Sequence, residues 1–148
     1  MSVSELAVRA AREWIGTPYR HQASTRGAGA DCLGLIRGIW RELFGQEPEL
    51  PPAYSADWSE PGGEELLWAA ALRHLLPVAS GADLSSGQVA LFRMRDGGVA
   101  KHLGLVCLGS DGPSFIHAYS GHAVVESPLS APWARRIVAR FTFPEGER

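Results

Sequence analysis

Apolar positions recur at helical intervals in the first half of the chain and collect into short runs in the second. The first stripe is Leu6, Ala7, Ala10, Ala11 and Trp14. Ser2 and Glu5 open it in the spacing of a capping box, and Gly16, Thr17 and Pro18 stop it. A loop of small and polar residues over 19–30 leads to a second stripe, Leu33, Ile36, Ile39, Trp40 and Leu43. Asp31 offers a side-chain acceptor at its start, so Cys32 opens this helix, and Gly45 ends it. Gly34 and Gly38 lie inside it; glycine costs about 1 kcal/mol relative to alanine there, so both point to close approach of a neighbouring element. Residues 46–63 carry Pro48, Pro51, Pro52 and Pro61 around Tyr54 and Trp58, which predicts a packed-down wrapping loop with aromatics placed to line a groove. A third helix fits residues 64–76, with Leu66, Leu67, Ala70 and Leu75 on its apolar side and Pro77 as terminator.

The period then changes. Residues 88–94, 103–108, 114–118, 124–127 and 137–143 are short apolar runs between Gly, Asp or Pro clusters, and each predicts a strand. Strands without helical crossovers pair through hairpins, and residues 109–112 supply one such turn. The expectation is an α+β fold, N-terminal helices packed on a C-terminal antiparallel sheet of about five strands, in a single domain over residues 1–148.

Composition narrows the function. At 148 residues and 45% hydrophobic content the chain can bury one core. A formal net charge of -2 recommends neither nucleic acid nor an anionic membrane surface as partner. No apolar run approaches the roughly 18 residues of a membrane span, and the first residues lack the basic and apolar regions of a secretory signal. Synthesis in the cytoplasm without a signal peptide is the expectation. Two cysteines, Cys32 and Cys107, with no Cys-x-x-Cys pair, support neither a disulfide framework nor a structural zinc site.

Cys32 combines a helix start, with its unpaired N–H groups, and a preceding flexible loop, a placement that favours thiolate and predicts labelling well below pH 8. A helix-opening cysteine alone is equally compatible with an inert core residue, so its partners decide. Cys107 alternates with Leu103 and Leu105 and reads as buried and inert. His74 reads as a solvated cation at a helix C-terminus, and His21 and His122 as surface residues. His102 enters one strand and His117 leaves the next. Counting across the turn, Leu108 faces Pro113 and His102 faces Tyr119, which puts His117 on the diagonal and both imidazoles on one face. If the Cys32 helix start docks at that end of the sheet, His102 can take the thiol proton and His117 can hold the imidazole in the useful tautomer.

Four ordered blocks carry a resemblance: Thr17, Pro18 and Tyr19; Asp31, Cys32, Leu33, Gly34 and Leu35; His102, Leu103, Gly104, Leu105 and Val106; and Phe115, Ile116, His117 and Ala118. Together they resemble the motifs of the NlpC-type cell-wall peptidases, a papain-like cysteine peptidase family, over essentially the whole chain. Residues 31–43, with Trp40, Arg41, Glu42 and Leu43, look most like the branch found in phage tails and phage-derived gene transfer agents. The resemblance implies an endopeptidase that cuts peptidoglycan stem peptides, typically between γ-linked D-glutamate and a diamino acid. It implies Cys32 as nucleophile, His102 as general base, His117 as third polar member, Tyr19 beside the thiol, and no metal or organic cofactor. Many members have Ser where this chain has Leu33 and Asp where it has Gln88; the backbone N–H of Leu33 still serves an oxyanion. Arg20 and Arg26 precede the nucleophile and could hold substrate carboxylates, though arginines in a polar loop are more often merely solvated. A wall substrate for a chain without an export signal implies delivery on a tail tip or baseplate, or release by lysis. Two rival readings stay open: a silent structural or wall-binding component, and an amide or acyl transferase using the same three residues.

Overall fold

The computed structural model describes residues 1–48, 54 and 63–145. Helix α1 (Val3–Trp14) opens with the expected capping box. Ser2 Oγ accepts from the Glu5 N–H (3.0 Å), and Glu5 Oε1 accepts from the Ser2 N–H (3.1 Å). The loop that follows is not wholly irregular, since Ser24–Thr25 (β1) and Gly29–Ala30 (β2) form a small antiparallel hairpin. Helix α2 (Cys32–Phe44) begins at Asp31 and ends at Gly45, whose φ of 86° is open to glycine.

The two glycines inside α2 are there for space. A Cβ on Gly34 would stand 1.8 Å from the Ala23 carbonyl oxygen, and one on Gly38 would stand 2.0 Å from the Trp14 ring. Trp14 thus lies flat on α2 and reaches along it, its Nε1–H donating to Glu42 Oε2 (2.7 Å). Helix α3 (Leu66–His74) is shorter than the pattern predicts. Pro77 forces the residues before it into extended backbone, so Leu76–Pro77 becomes a strand, β3, instead of a last helical turn. Leu67, Ala71 and Leu75 form the buried side, while Leu66, expected inside, is exposed. The helix start is fixed by Glu65, whose carboxylate accepts from the Ala100 N–H (2.9 Å) and pairs with Arg93 (3.2 Å).

All five predicted strands are present: β4 (Val89–Arg93), β5 (Ala100–Gly109), β6 (Gly112–Ala118), β7 (Val124–Pro128) and β8 (Ile137–Thr142). They join β3 in one sheet of order β3-β8-β4-β5-β6-β7, every neighbouring pair antiparallel. The edges are short. β3 has two residues, one of them Pro77, and β7 ends on Pro128. Leu91, Leu103, Leu105 and Ile116 pack with Leu35 and Ile39 of α2 and with α1 on one face of the sheet. Ala90, Phe92, Val106 and Phe115 pack with Leu129 on the other face, where Trp133 of a short helix that the pattern did not predict, α4 (Ala131–Ala134), covers them. The turn between β5 and β6 sets Gly109 against Gly112 and Leu108 against Pro113, the register expected.

Gly34→Ala is expected to lose about 3 kcal/mol or more of stability, since the clash is with a backbone carbonyl that cannot rotate away. Gly38→Ala meets a side chain that can tilt and should lose less. Urea denaturation of both variants checks the order, and equal losses would contradict it.

Candidate active site

The chain between α1 and α2 is tied down on both sides. Val124 N–H donates to the Thr17 carbonyl, Ala30 N–H to the Pro18 carbonyl and Arg20 N–H to the Ala30 carbonyl, at 2.8, 3.0 and 3.1 Å. This lays Tyr19 alongside Ala30, next to the start of α2.

Asp31 is only 3% exposed and fully used. Its Oδ1 accepts from the Gly34 N–H (2.7 Å), and its Oδ2 accepts from the Gln22 N–H (2.7 Å) and the Tyr54 O–H (2.5 Å). Gln22 sits at φ 65°, a left-handed conformation unusual for a residue with a side chain, and the bond to Asp31 is made by this residue's own N–H. His21 Nε2 lies 2.8 Å from the Tyr54 carbonyl and its Nδ1 3.7 Å from Asp31. His21 is exposed, as expected of a surface residue, and at the same time it joins a knot around the helix start. Nothing at sequence level pairs residues 21, 31 and 54. Of the two aromatics expected to line a groove, Tyr54 is half-buried on this knot and Trp58 lies outside the described residues. Arg26 is held by Glu13 and Glu42, and the Arg20 stem covers Gly29.

Cys32 is the first residue of α2 and 7% exposed. The ladder between β5 and β6 stops at Leu105 and Ile116, and the thiol meets β5 beyond that point. Its Sγ lies 3.8 Å from the Lys101 carbonyl oxygen, and the N–H groups of Leu103, Leu33 and Cys32 itself are directed at the sulfur. The sulfur therefore rests on the backbone just before and just after His102. Burial and then the Asp31 carboxylate push the thiol up to about 12, against the three N–H groups that lower it. The thiolate expected from the helix start is corrected accordingly: in this environment Cys32 is a neutral thiol.

The histidines take the predicted diagonal. His102 Nε2 is 2.8 Å from His117 Nδ1, and His117 Nε2 is 3.0 Å from Ser127 Oγ on β7. Both lie on the sheet face of Phe92 and Phe115, the face opposite α1 and α2. His117 stacks on Phe115 with centroids 4.0 Å apart, and Trp133 packs edge-on at 5.4 Å. Gly104 makes room for this, since a Cβ there would stand 2.7 Å from the Phe115 ring. Burial, then His117, lowers His102 to about 3; burial, then His122, lowers His117 to about 4. Two neutral imidazoles in a line have two consistent proton orders, one running each way. If His102 keeps Nδ1 bare, its Nε2–H donates to His117 Nδ1 and His117 Nε2–H donates to Ser127. Ser127 is the member that sequence reasoning missed, and only the register of β7 on β6, with Phe115 opposite Ser127, reveals it.

Tyr19 is half-buried, and its hydroxyl is pushed up by burial, then by Cys32 and Asp31. Leu33 turns its side chain toward the core and its N–H toward the sulfur. Cys107 is buried, as expected, and pushed up to about 11 by burial and Glu126. Among the described residues no three His, Cys, Asp or Glu side chains gather in a way that could hold a metal ion, and no helix is long and apolar enough to cross a membrane.

No protein-family model matches the chain. Its sequence is 28% identical over 135 residues to the murein DD-endopeptidase MepS/murein LD-carboxypeptidase of Escherichia coli K12, an alignment that covers 86% of this chain and 60% of that protein. The chain thus spans about 60% of the relative's length. In three dimensions it matches the NlpC/p60 domain of the peptidoglycan hydrolase SagA with a TM-score of 0.59 at 21% identity, over 95% of this chain and 98% of that one. It also matches RipD of Mycobacterium tuberculosis, described as a non-catalytic NlpC/p60 protein adapted to peptidoglycan binding, with a TM-score of 0.53 at 15% identity over 96% and 97% of the two chains. The fold is the papain-like NlpC/P60 fold, and the chain is a homologue of a murein endopeptidase.

Two pH responses follow from the buried site. Below the ordinary histidine value of 6.5 the unfolded chain binds protons that His102 and His117 refuse in the fold. Stability is therefore full above pH 6.5 and falls toward pH 4, by at most about 1.4 kcal/mol per pH unit for each histidine. Urea titrations at pH 7 and 5 check this, and His117→Gln should flatten the slope. Alkylation of Cys32 by iodoacetamide should be slow at pH 7 and accelerate only above pH 9; rapid labelling at pH 6 would show a thiolate instead.

Proposed function

We propose that the chain is a cysteine peptidase that hydrolyses the peptide stems of peptidoglycan, with Cys32 as nucleophile, His102 as general base and His117 as orienting residue. The observation that carries this reading is the line from Ser127 through His117 to His102, with the Cys32 thiol on the neighbouring Lys101 carbonyl. His102 spends Nε2 on His117, which leaves Nδ1, the ring nitrogen nearest its own backbone, for the thiol proton. Because burial keeps both groups neutral, proton transfer accompanies attack rather than preceding it. The S–C bond forms at the scissile carbonyl as the S–H proton passes to Nδ1. The imidazolium then protonates the leaving amine, and water, deprotonated by the same nitrogen, releases the acyl group. The N–H of Leu33 and the hydroxyl of Tyr19 stand ready for the oxyanion, at about 3 kcal/mol per donor in comparable sites.

The homologous murein endopeptidase supports the substrate class. The bond we assign is that between γ-linked D-glutamate and a diamino acid, and the delivery route a phage-like tail or baseplate; both rest on the motif blocks and on residues 31–43. A second reading of the bond, cleavage between D-centres of the cross-link, is favoured by what the E. coli relative's name says of that protein. RipD shows that the fold can serve binding alone, but Cys32, His102 and His117 are all present and two of them touch.

Incubation with peptidoglycan sacculi followed by mass spectrometry of fragments tests all of this. New stem fragments are expected from the parent and none from Cys32→Ala; fragments from neither would leave the binding role, and acyl products without stem cleavage the transferase. Fragment masses separate the two bonds. Ser127→Ala removes one positioning hydrogen bond and should lower kcat about tenfold with KM nearly unchanged.

A further inference from the structure

Where β4 ends, β5 and β8 begin, because both run antiparallel to β4. His102 stands at this rim, and so does a cavity of about 320 Å³ lined by Arg93, Arg95, Arg135 and Arg136, with Asp96 as the one carboxylate of its lining. Four arginines lining one concavity run against the balance of a chain with a net charge of -2. Arg93 is held by Glu65 (3.2 Å) and the Gly98 carbonyl (2.7 Å). Arg135 and Arg136 are exposed and have no ion-pair partner among the described residues. The cavity adjoins the histidines through a single ring. The Arg136 guanidinium lies 5.7 Å above Trp133, and Trp133 packs on His102 at 5.8 Å and on His117 at 5.4 Å. The Arg93 N–H donates to the Arg136 carbonyl (2.8 Å), so the loop carrying both exposed arginines is fixed to the sheet.

We propose that this cavity is an anion-binding subsite that takes the carboxylates of a peptide ligand whose scissile bond lies over Cys32. The assignment rests on the hydrolase reading above for the identity of the peptide. Arginine forks bind carboxylates through paired N–H donors, and a concave site shields the pairs from salt better than an open surface does. Arg135 and Arg136 supply the unspent donors, Arg93 and Glu65 fix the floor, and Trp133 is the wall shared with the histidines.

The test uses the full chain carrying Cys32→Ala, so that nothing turns over, and calorimetric titration with a synthetic stem peptide bearing two free carboxylates and with its bis-amide. Adding Arg135→Gln and Arg136→Gln should weaken the acid about tenfold, flatten its salt dependence and leave the bis-amide unchanged. Arg135→Lys with Arg136→Lys should restore most of the loss, which also controls for folding. Equal binding of acid and bis-amide by parent and variant would overturn the subsite. Inorganic phosphate binding more tightly than the acid, and lost with the same arginines, would overturn the carboxylate assignment in favour of a phosphate site. Sacculus cleavage by the chain with Cys32 intact reads the other premise separately. Cleavage without charge-dependent binding sinks the subsite alone, whereas charge-dependent binding without cleavage sinks the hydrolase reading and supports the pocket.

Discussion

One buried carboxylate positions everything near the thiol. Asp31 has almost no contact with solvent, and a charge in that position is tolerable only when hydrogen-bonded. Its donors come from three separate places: the first turn of α2, the strained residue Gln22, and Tyr54. Removing any one leaves a charge short of a partner, so the helix start, the loop before it and Tyr54 are held to one arrangement. Cys32 follows Asp31 directly and inherits that fixity.

The same carboxylate sets the proton inventory. A helix start favours a nearby anion by 0.3 to about 2 kcal/mol, roughly one and a half pKa units at most. Full burial works against an anion by up to about 3–5 units, and a neighbouring negative charge adds to it. Burial wins at Cys32 and, with the sign reversed for a base, at both histidines. The resting site is a neutral thiol beside a neutral imidazole line, arranged so that charge appears only when a reacting carbonyl is present to share it.

The sequence discloses what local rules govern. The capping box of α1, the Asp31 and Gly45 boundaries of α2, and five apolar runs separated by turn residues all report themselves within a few positions. The histidine contact was legible as well, because a tight turn fixes the β5–β6 register and register fixes the diagonal. Elements of two to four residues, β1, β2, β3 and α4, carry no period and owe their existence to tertiary partners. Leu66 lay on the wrong side of α3 because Glu65, bonded to a strand 35 residues away, decides how the helix is turned. Ser127, His21 and Tyr54 meet the site across long stretches of chain for the same reason. The burial that pushes the Cys32 thiol up is a property of all the neighbours together, and no motif encodes it.

The two margins of the sheet have a consequence for life in crowded surroundings. An exposed strand of any length offers rows of unpaired amides and carbonyls to which a foreign chain can add itself. Here one margin is two residues long and contains a proline, which has no amide hydrogen to give, and the other stops on a second proline. A strand added at either flank therefore meets a proline that has no amide hydrogen to offer.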